Sequence, residues 1–387
     1  YEIGSGLVGS EMCIRDSFTI VFNLSYADDN FLYALTNPGA MPCDEEFFNL
    51  TNGKYGLDAK YLLCNGPFHV SKWTEKTSVK LVKNNEYNGE SSVSPSSVTF
   101  YINNDDSEVA DKMNSVTYDV AFLSSSQFSS IENKKDLNSV AVQNVTYSFI
   151  FNQNDNNYRN KNMRLAFCRS CDTSSLFDSQ SDISKADGIV PPSCKIGGED
   201  YRNGNAAELL SYDETLAKKN FNDALLELGS SSVETTILCT EQYEPFVKQM
   251  VQKLQKTLGV KFVSTVKVVS ESDLEAAVND GNYSVAFYPF KAKSSFAGEI
   301  IEGFDKNNIF GYESDVLSQK IRNIKNNSGS LEGERSAVAD AENYLVSEAV
   351  IMPVFYENSY FVTSKKTSGI YFYSSADNVC FINAKKS

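Results

Sequence analysis

The chain predicts an α/β fold with mixed sheets and covering helices, divided into two lobes built on similar plans. Three observations lead there. Segments of strand period and of helix period interleave along most of the 387 residues. Two distant stretches share a strand, helix, strand order: Tyr118, Val120, Ala121 and Phe122 align with Tyr283, Val285, Ala286 and Phe287, while Met113 and Asn114 fall on Val278 and Asn279. A composition of 41% hydrophobic and 22% charged residues gives a chain of this length the apolar content for more than one core.

Phe18 to Leu24 is strand-like. Phe68–Trp73 and Ser78–Val82 alternate as paired strands, with Asn-Gly punctuation at 65–66 and 88–89. Val98–Ile102 is a third strand, Ser107–Asn114 a short helix, and Tyr118–Leu123 (YDVAFL) a buried strand that closes the unit. The Asn-rich run Asn152–Asn162 reads as a loop. Asp213–Leu228 carries acidic residues in its first turn, apolar residues at 216, 217, 221, 224, 225 and 228, and Gly229 as a stop, which is the pattern of a capped helix. Val233–Cys239 is a strand. Pro245 then opens a helix with Phe246, Val247, Met250, Val251, Leu254 and Leu258 on one face and Gly259 at its end. Val266–Val269, Ser272–Asn279 and Tyr283–Tyr288 (YSVAFY) form the second strand, helix, strand unit, followed by a helix at Glu334–Ser347 and an apolar strand at Val350–Tyr356.

Charge and composition exclude several classes of function. With 35 basic against 50 acidic side chains the net charge is -15, so a phosphate backbone is repelled over most of the surface and nucleic acid is not a partner. No stretch approaches the roughly 20 apolar residues of a spanning helix. The eight cysteines, at 13, 43, 64, 168, 171, 194, 239 and 380, are too scattered for a dense disulfide framework and read mostly as buried free thiols. Cys168-Arg169-Ser170-Cys171 has the spacing of a redox pair, yet it sits in an apolar run from Met163 with no histidine at zinc-site spacing. Two thiols sharing one helix face account for it structurally. Residues 1–17 are Gly/Ser-rich with a short charged patch and do not share the patterning of the rest of the chain; they read as a non-native or disordered start, similar to translated sequencing-adapter sequence. The G-x-G-x-x-G of Gly4, Gly6 and Gly9 lacks the preceding strand that dinucleotide binding needs. Because the chain opens at Tyr1, the sequence reads as incomplete at its amino end.

Catalysis finds little support. The single histidine, His69, lies inside a predicted strand, and no G-x-S-x-G elbow or H-E-x-x-H helix occurs. The EF-hand pattern is also missing, so no metal and no cofactor is expected. Trp73, the only tryptophan, is expected in the core rather than as a ligand stacker.

The order of motifs resembles the family 5 bacterial extracellular solute-binding proteins, the oligopeptide and dipeptide receptors of ABC importers. An Asn-Gly-Pro-aromatic strand ending in Trp, a second strand and an Asn-x-x-Tyr-x-Gly turn stand here as NGPFHVSKW and SVKLVKNNEYNG. FIFNQNDNNYRNKNMRLAFCRSCD, GIVPP at 188–192, YDETLAKKNFNDALLELG, AVIMPVFYENSYFV, SGIYF and FINAKK come next in family order, so the resemblance covers about residues 18–387. It implies a two-lobed periplasmic-binding-protein-like fold, type II and cluster C in style. The first lobe would be 18–148, with a subdomain remnant at 18–48; the second would be 149–353, and 354–387 would return to the first. Extended crossings are expected near Ser148–Asn152 and Pro353–Glu357.

The resemblance also implies a function: capture of a peptide between two lobes and its delivery to the permease and ATPase subunits of an importer, by a monomeric protein with no enzymatic activity. It further implies an export signal and a lipobox cysteine in the full gene, placing the protein on the outer face of the cytoplasmic membrane or in the periplasm. Ligands of open α/β lobes lie beyond the carboxyl ends of the strands, so Phe287, Tyr288, Pro289, Phe290 and Lys291 are the expected wall of the site, with Asn152 and Tyr356 at its floor. In oligopeptide receptors the matching segment carries an aspartate that pairs with the peptide's ammonium group. Aligned on Ser294-Ser295-Phe296, Pro289 takes that place here, and no acidic residue occurs from Tyr283 to Gly298. Alternative readings are the same fold binding a nickel complex or an oligosaccharide, and a surface adhesin or chaperone without a transport role.

Overall fold

The computed structural model describes residues 13–16, 19–24, 31–35, 38–89, 92–102, 106–173, 182–292, 296–373 and 378–387. Gly4, Gly6 and Gly9 and the Ser294-Ser295 pair lie outside them. Two compact units emerge, one within 1–140, 360–373 and 377–387, the other centred on 141–359.

In the smaller unit, β1 (Cys13–Asp16) and β2 (Thr19–Val21) pair antiparallel, and α1 (Phe31–Ala34) and α2 (Glu45–Leu50) come after them. Next, β3 (Phe68–Thr74), β4 (Ser78–Lys83) and β5 (Ser97–Tyr101) form the antiparallel three-stranded sheet that the alternation predicts. Trp73 corrects its assignment: on β3, paired with Val79, it is 40% exposed, because the end of this hairpin carries little packing above it. His69 is exposed on the same strand. Then come α3 (Asp106–Asn114), β6 (Val120–Ser124) and α4 (Ser125–Ser129), the last opened by a capping box between Ser124 and Gln127. Only Leu123 of β6 is buried, so the strand expected to be buried is half-covered. Its inward side joins a small core of Ala110, Met113, Ile131, Leu137 and Val362.

The chain passes from one unit to the other within two long strands, β7 (Leu137–Phe151) and β14 (Ile351–Ser364). Between them lie α5 (Asn156–Arg159), α6 (Lys161–Arg169), β8 (Ile183–Lys185), β9 (Lys195–Ile196), β10 (Glu199–Asp200), α7 (Glu214–Leu228), β11 (Val233–Cys239), α8 (Glu244–Leu258), β12 (Phe262–Val268), α9 (Glu271–Asn279), β13 (Val285–Lys291), α10 (Ala297–Glu302), α11 (Asp315–Asn326) and α12 (Leu331–Ser347). Short pairs close the chain, β15 (Thr367–Ser368) with β18 (Lys385–Lys386) and β16 (Tyr371–Tyr373) with β17 (Asn378–Cys380).

Local chemistry sets the helix ends. Asp213 accepts from the Leu216 amide at the start of α7, and Gly229, at φ 63°, stops it in the left-handed conformation glycine adopts without strain. Ser330 caps α12, which therefore starts three residues before Glu334. The run Asn152–Asn162 is not the expected loop: Asp155 and Asn160 accept from the Asn157 and Met163 amides and so start α5 and α6.

The large sheet is mixed, in the order β12-β11-β13-β7-β14-β6 with β8 on β14. β11 runs parallel to β12 and β13, while β13 and β7 are antiparallel. Alternation divides its side chains between two cores. Phe149, Phe151, Val285 and Phe287 join α6, α7 and α8 on one side; Ile150, Ala286, Tyr288 and Phe290 join α9, α10, α11 and α12 on the other. Each fully buried phenylalanine stabilises the fold by about 1.5–3 kcal/mol relative to exposure.

Candidate functional site

The parallel strands of the larger unit share one carboxyl edge, the place where open α/β sheets bind ligands. β11 ends at Cys239 and leads through Thr240 and the turn Glu241–Tyr243 into α8. β12 ends at Val268, just before Ser270 caps α9, and β13 ends at Lys291. Antiparallel pairing of Lys291 with Val145 and of Pro289 with Tyr147 brings the early part of β7 to this same edge.

Glu357 of β14 meets these elements. The Tyr243 hydroxyl donates to both its carboxylate oxygens at 2.9 Å, the Gln242 amide reaches it at 3.4 Å, and the Tyr147 hydroxyl is its other hydrogen-bonding neighbour. Around them the rings of Tyr147 and Tyr243 lie 4.4 Å apart by centroid, with Phe355 5.1 Å and Phe287 5.6 Å from Tyr147. Burial holds the Glu357 carboxyl above the ordinary carboxylate range; the two tyrosine hydroxyls pull it back and Asp182 pushes it further up. Burial likewise raises both tyrosine hydroxyls, which therefore remain protonated donors at neutral pH. The site is a half-buried carboxylate set in an aromatic surround at the rim of the sheet.

The sequence model described as "Bacterial extracellular solute-binding proteins, family 5 Middle" matches residues 14–310. The chain belongs to this family. It is similar to the dipeptide-binding protein DppE of Bacillus subtilis, at 23% identity over 379 residues, 96% of this chain and 69% of that protein. Two solved structures share its fold. A dipeptide-binding protein from Pseudoalteromonas in complex with Met-Leu superposes with a TM-score of 0.78 at 15% identity, over 100% of this chain and 77% of that one. The substrate-binding domain of an oligopeptide ABC transporter from Bacillus anthracis does so with 0.76 at 18%, over 97% and 75%.

In this solute-binding protein the residues expected to form the site are not all together. β13 runs to Lys291, so Pro289, Phe290 and Lys291 are strand residues and not a loop beyond Tyr288. Pairing with β7 carries the strand on, whereas pairing with β11 stops at Ala286, so the missing amide of Pro289 breaks no ladder on that side. Phe287 is 1% exposed and packs against Phe149, Phe246 and Phe355, a core residue. Tyr288, Pro289 and Phe290 are half-buried, Phe290 stacking on Phe304 and Phe310, and Lys291 is exposed at the carboxyl edge.

Asn152 and Tyr356 are placed elsewhere. Asn152 comes after Phe151, which pairs with Val285 at the start of β13, so it stands at the opposite edge of the sheet from Lys291. It is buried, and its amide donates to the carbonyls of Gly281 and Tyr283 at 2.8 Å each while its oxygen accepts from the Asn154 amide. Tyr356 is buried beside Glu357 in sequence, but its hydroxyl accepts from the Asp187 amide at 3.1 Å and donates toward the Gly188 and Val190 carbonyls. Both side chains are spent on the fold, because their hydrogen bonds are satisfied by backbone.

Sequence reading missed Glu357, Tyr243, Gln242 and Tyr147. Two signals were available: Glu357 is the only acid in the apolar run IMPVFYENSYFV, and the carboxyl-end rule applied to β11 leads to Thr240–Tyr243. Cys168 and Cys171 are buried free thiols, and burial pushes Cys168 up to about 12, in keeping with a structural role. Cys194 and Cys239 are also buried, while Cys43 is exposed and Cys64 and Cys380 are intermediate.

Proposed function

We propose that this protein is the peptide-capturing component of an ABC importer and hands its cargo to a membrane permease driven by an ATPase. Membership of family 5 over residues 14–310 carries this reading, and the alignment with a dipeptide-binding protein over 96% of the chain supports it. The role is one of binding without catalysis. The domain reading that accompanies it is of two lobes, exchanged within β7 and β14.

The carboxyl edge is where the ligand sits in this reading. Half-buried Tyr288, Pro289 and Phe290 give sequence-tolerant apolar packing, and Lys291, at the end of β13, meets a ligand carboxylate. The full gene encodes an export signal and a lipid-anchoring cysteine that keep the monomer near its permease.

Isothermal titration of the protein with Met-Leu and with tri- and tetrapeptides tests this function. Saturable peptide binding, weakened by Lys291→Ala and by amidation of the ligand carboxyl group, is the expected result. Absence of binding to every peptide, with tight binding to an oligosaccharide or a nickel complex, would replace the cargo assignment.

A further inference from the structure

Glu357 and Glu342 are both carboxylates withdrawn from water in the larger unit, and of the two only Glu342 is paired with a cation among the described residues. Glu342 forms a buried pair with Arg202. The groups facing Glu357 are Tyr147 from β7, Gln242 and Tyr243 from the turn before α8, and Asp182 next to β8: two hydroxyls, one amide and another acid. Among the described residues no lysine, arginine or histidine forms an ion pair with it.

A negative charge withdrawn from water and left without a cation is unfavourable unless something else completes it. The surround fits one chemistry. Tyr147 and Tyr243 present aromatic rings beside the carboxylate, and aromatic faces attract organic cations; strongly hydrated inorganic ions gain less from them. The cluster also stands at the carboxyl edge of β11 and β13, where open α/β sheets bind their ligands.

We propose that Glu357, Tyr243 and Tyr147 form a subsite for an organic ammonium group of the ligand. The inference rests on the peptide-binding reading, in which the ammonium is the peptide's amino terminus or a lysine side chain. Glu357 supplies the counter-charge, Tyr243 fixes the carboxylate by donating to both of its oxygens, and the rings shape the wall.

The test uses the full chain and four peptides: Ala-Lys-Ala and Ala-norleucine-Ala, each with free and acetylated amino termini, titrated calorimetrically into wild type, Glu357→Gln and Glu357→Asp. Wild type is expected to lose at least about tenfold in affinity when the recognised ammonium is removed. Loss on acetylation assigns the amino terminus; loss on replacement of lysine by norleucine assigns the side chain. Glu357→Gln is expected to bind the same pair within about twofold of each other, and Glu357→Asp to keep the preference.

A second arm separates this proposal from the function it rests on. Thermal unfolding in n-butylammonium chloride is compared with unfolding in sodium chloride at equal ionic strength. Saturable stabilisation of wild type by butylammonium, lost in Glu357→Gln, upholds the subsite even if no peptide binds, in which case the peptide reading alone fails. If Glu357→Gln keeps the wild-type preference, or if neither butylammonium nor the cationic peptides distinguish it from wild type, the subsite is overturned. Should Glu357→Gln misfold, Tyr243→Phe takes its place, with a reduced preference expected and an undiminished one counting against the subsite.

Discussion

Glu342 and Glu357 show two ways of holding an acid away from water in one unit. Glu342, 1% exposed on α12, is fully answered. It accepts from the Ile189 amide at 2.6 Å, the Val190 amide at 2.9 Å and the Tyr201 hydroxyl at 3.0 Å, and it is bridged by both terminal nitrogens of Arg202. Arg202 in turn donates through Nε to the Val190 carbonyl at 2.7 Å. This network clamps Gly188–Pro192 against α12 and leaves nothing over for a ligand. Glu357 has hydroxyls and rings but, among the described residues, no cation partner. The difference separates an acid that specifies the fold from one whose charge awaits a partner.

The largest effect falls on the answered acid. Arg202→Ala strands a buried carboxylate, and a loss of about 3–5 kcal/mol in urea denaturation is expected. An Arg202→Met, Glu342→Leu double variant removes both charges and should recover only part of that loss, because the Ile189 and Val190 amides and the Tyr201 hydroxyl lose their acceptor. A single-variant loss below about 1 kcal/mol would mean that Glu342 is as tolerant of a missing cation as Glu357, and the contrast would collapse.

Gly188 sharpens the same contrast from the backbone side. A Cβ built there meets the Arg202 guanidinium and the Glu342 carboxylate, so Gly188→Ala forces the pair apart. About 1–3 kcal/mol of destabilisation is expected, the usual range for overpacking. Combining Gly188→Ala with Arg202→Ala should cost less than the sum of the two, because they damage one network. Strict additivity would show that the glycine is required for some other reason.

How much of this was legible in the sequence depends on the distance over which each signal acts. The ends of α7 were readable because Asp213 and Gly229 act within one helical turn. The strands β11 and β13 were readable from their own alternation, and the mixed sheet could be inferred from them. The stop of β13 was not, because pairing with β7 decides it and no local breaker marks it. Trp73 misled because residue type stands for burial only where something packs above the strand, and on β3 little does. The two acid sites were hidden for the same reason. Arg202 and Glu342 are 140 residues apart, and Tyr243 and Glu357 are 114 apart. Asn152 and Tyr356 lie inside the larger unit, which divides from the other after 140 and after 359; which face and edge they occupy depends on register, and their polar atoms are satisfied by backbone.

The smallest effect, and the most informative in sign, concerns Glu357 itself. Its carboxyl is held above the usual range, so the folded chain binds that proton more tightly than the unfolded chain does. Linkage then makes its contribution to stability complete below the unfolded glutamate value of about 4.3 and lost as pH rises through the raised folded value. Asp182 adds to this by like charge, while Tyr147 and Tyr243 stay neutral and oppose it through hydrogen bonds. Glu357→Gln removes the titration. The variant should therefore match wild type in thermal midpoint near pH 4 and exceed it at pH 7.5, with the gap opening across the window between the two values. Butylammonium should close the gap by stabilising wild type alone. Parallel midpoint curves across that range would show that the carboxylate is already compensated in the free protein, and Glu357 would then belong with Glu342 among the acids of the fold.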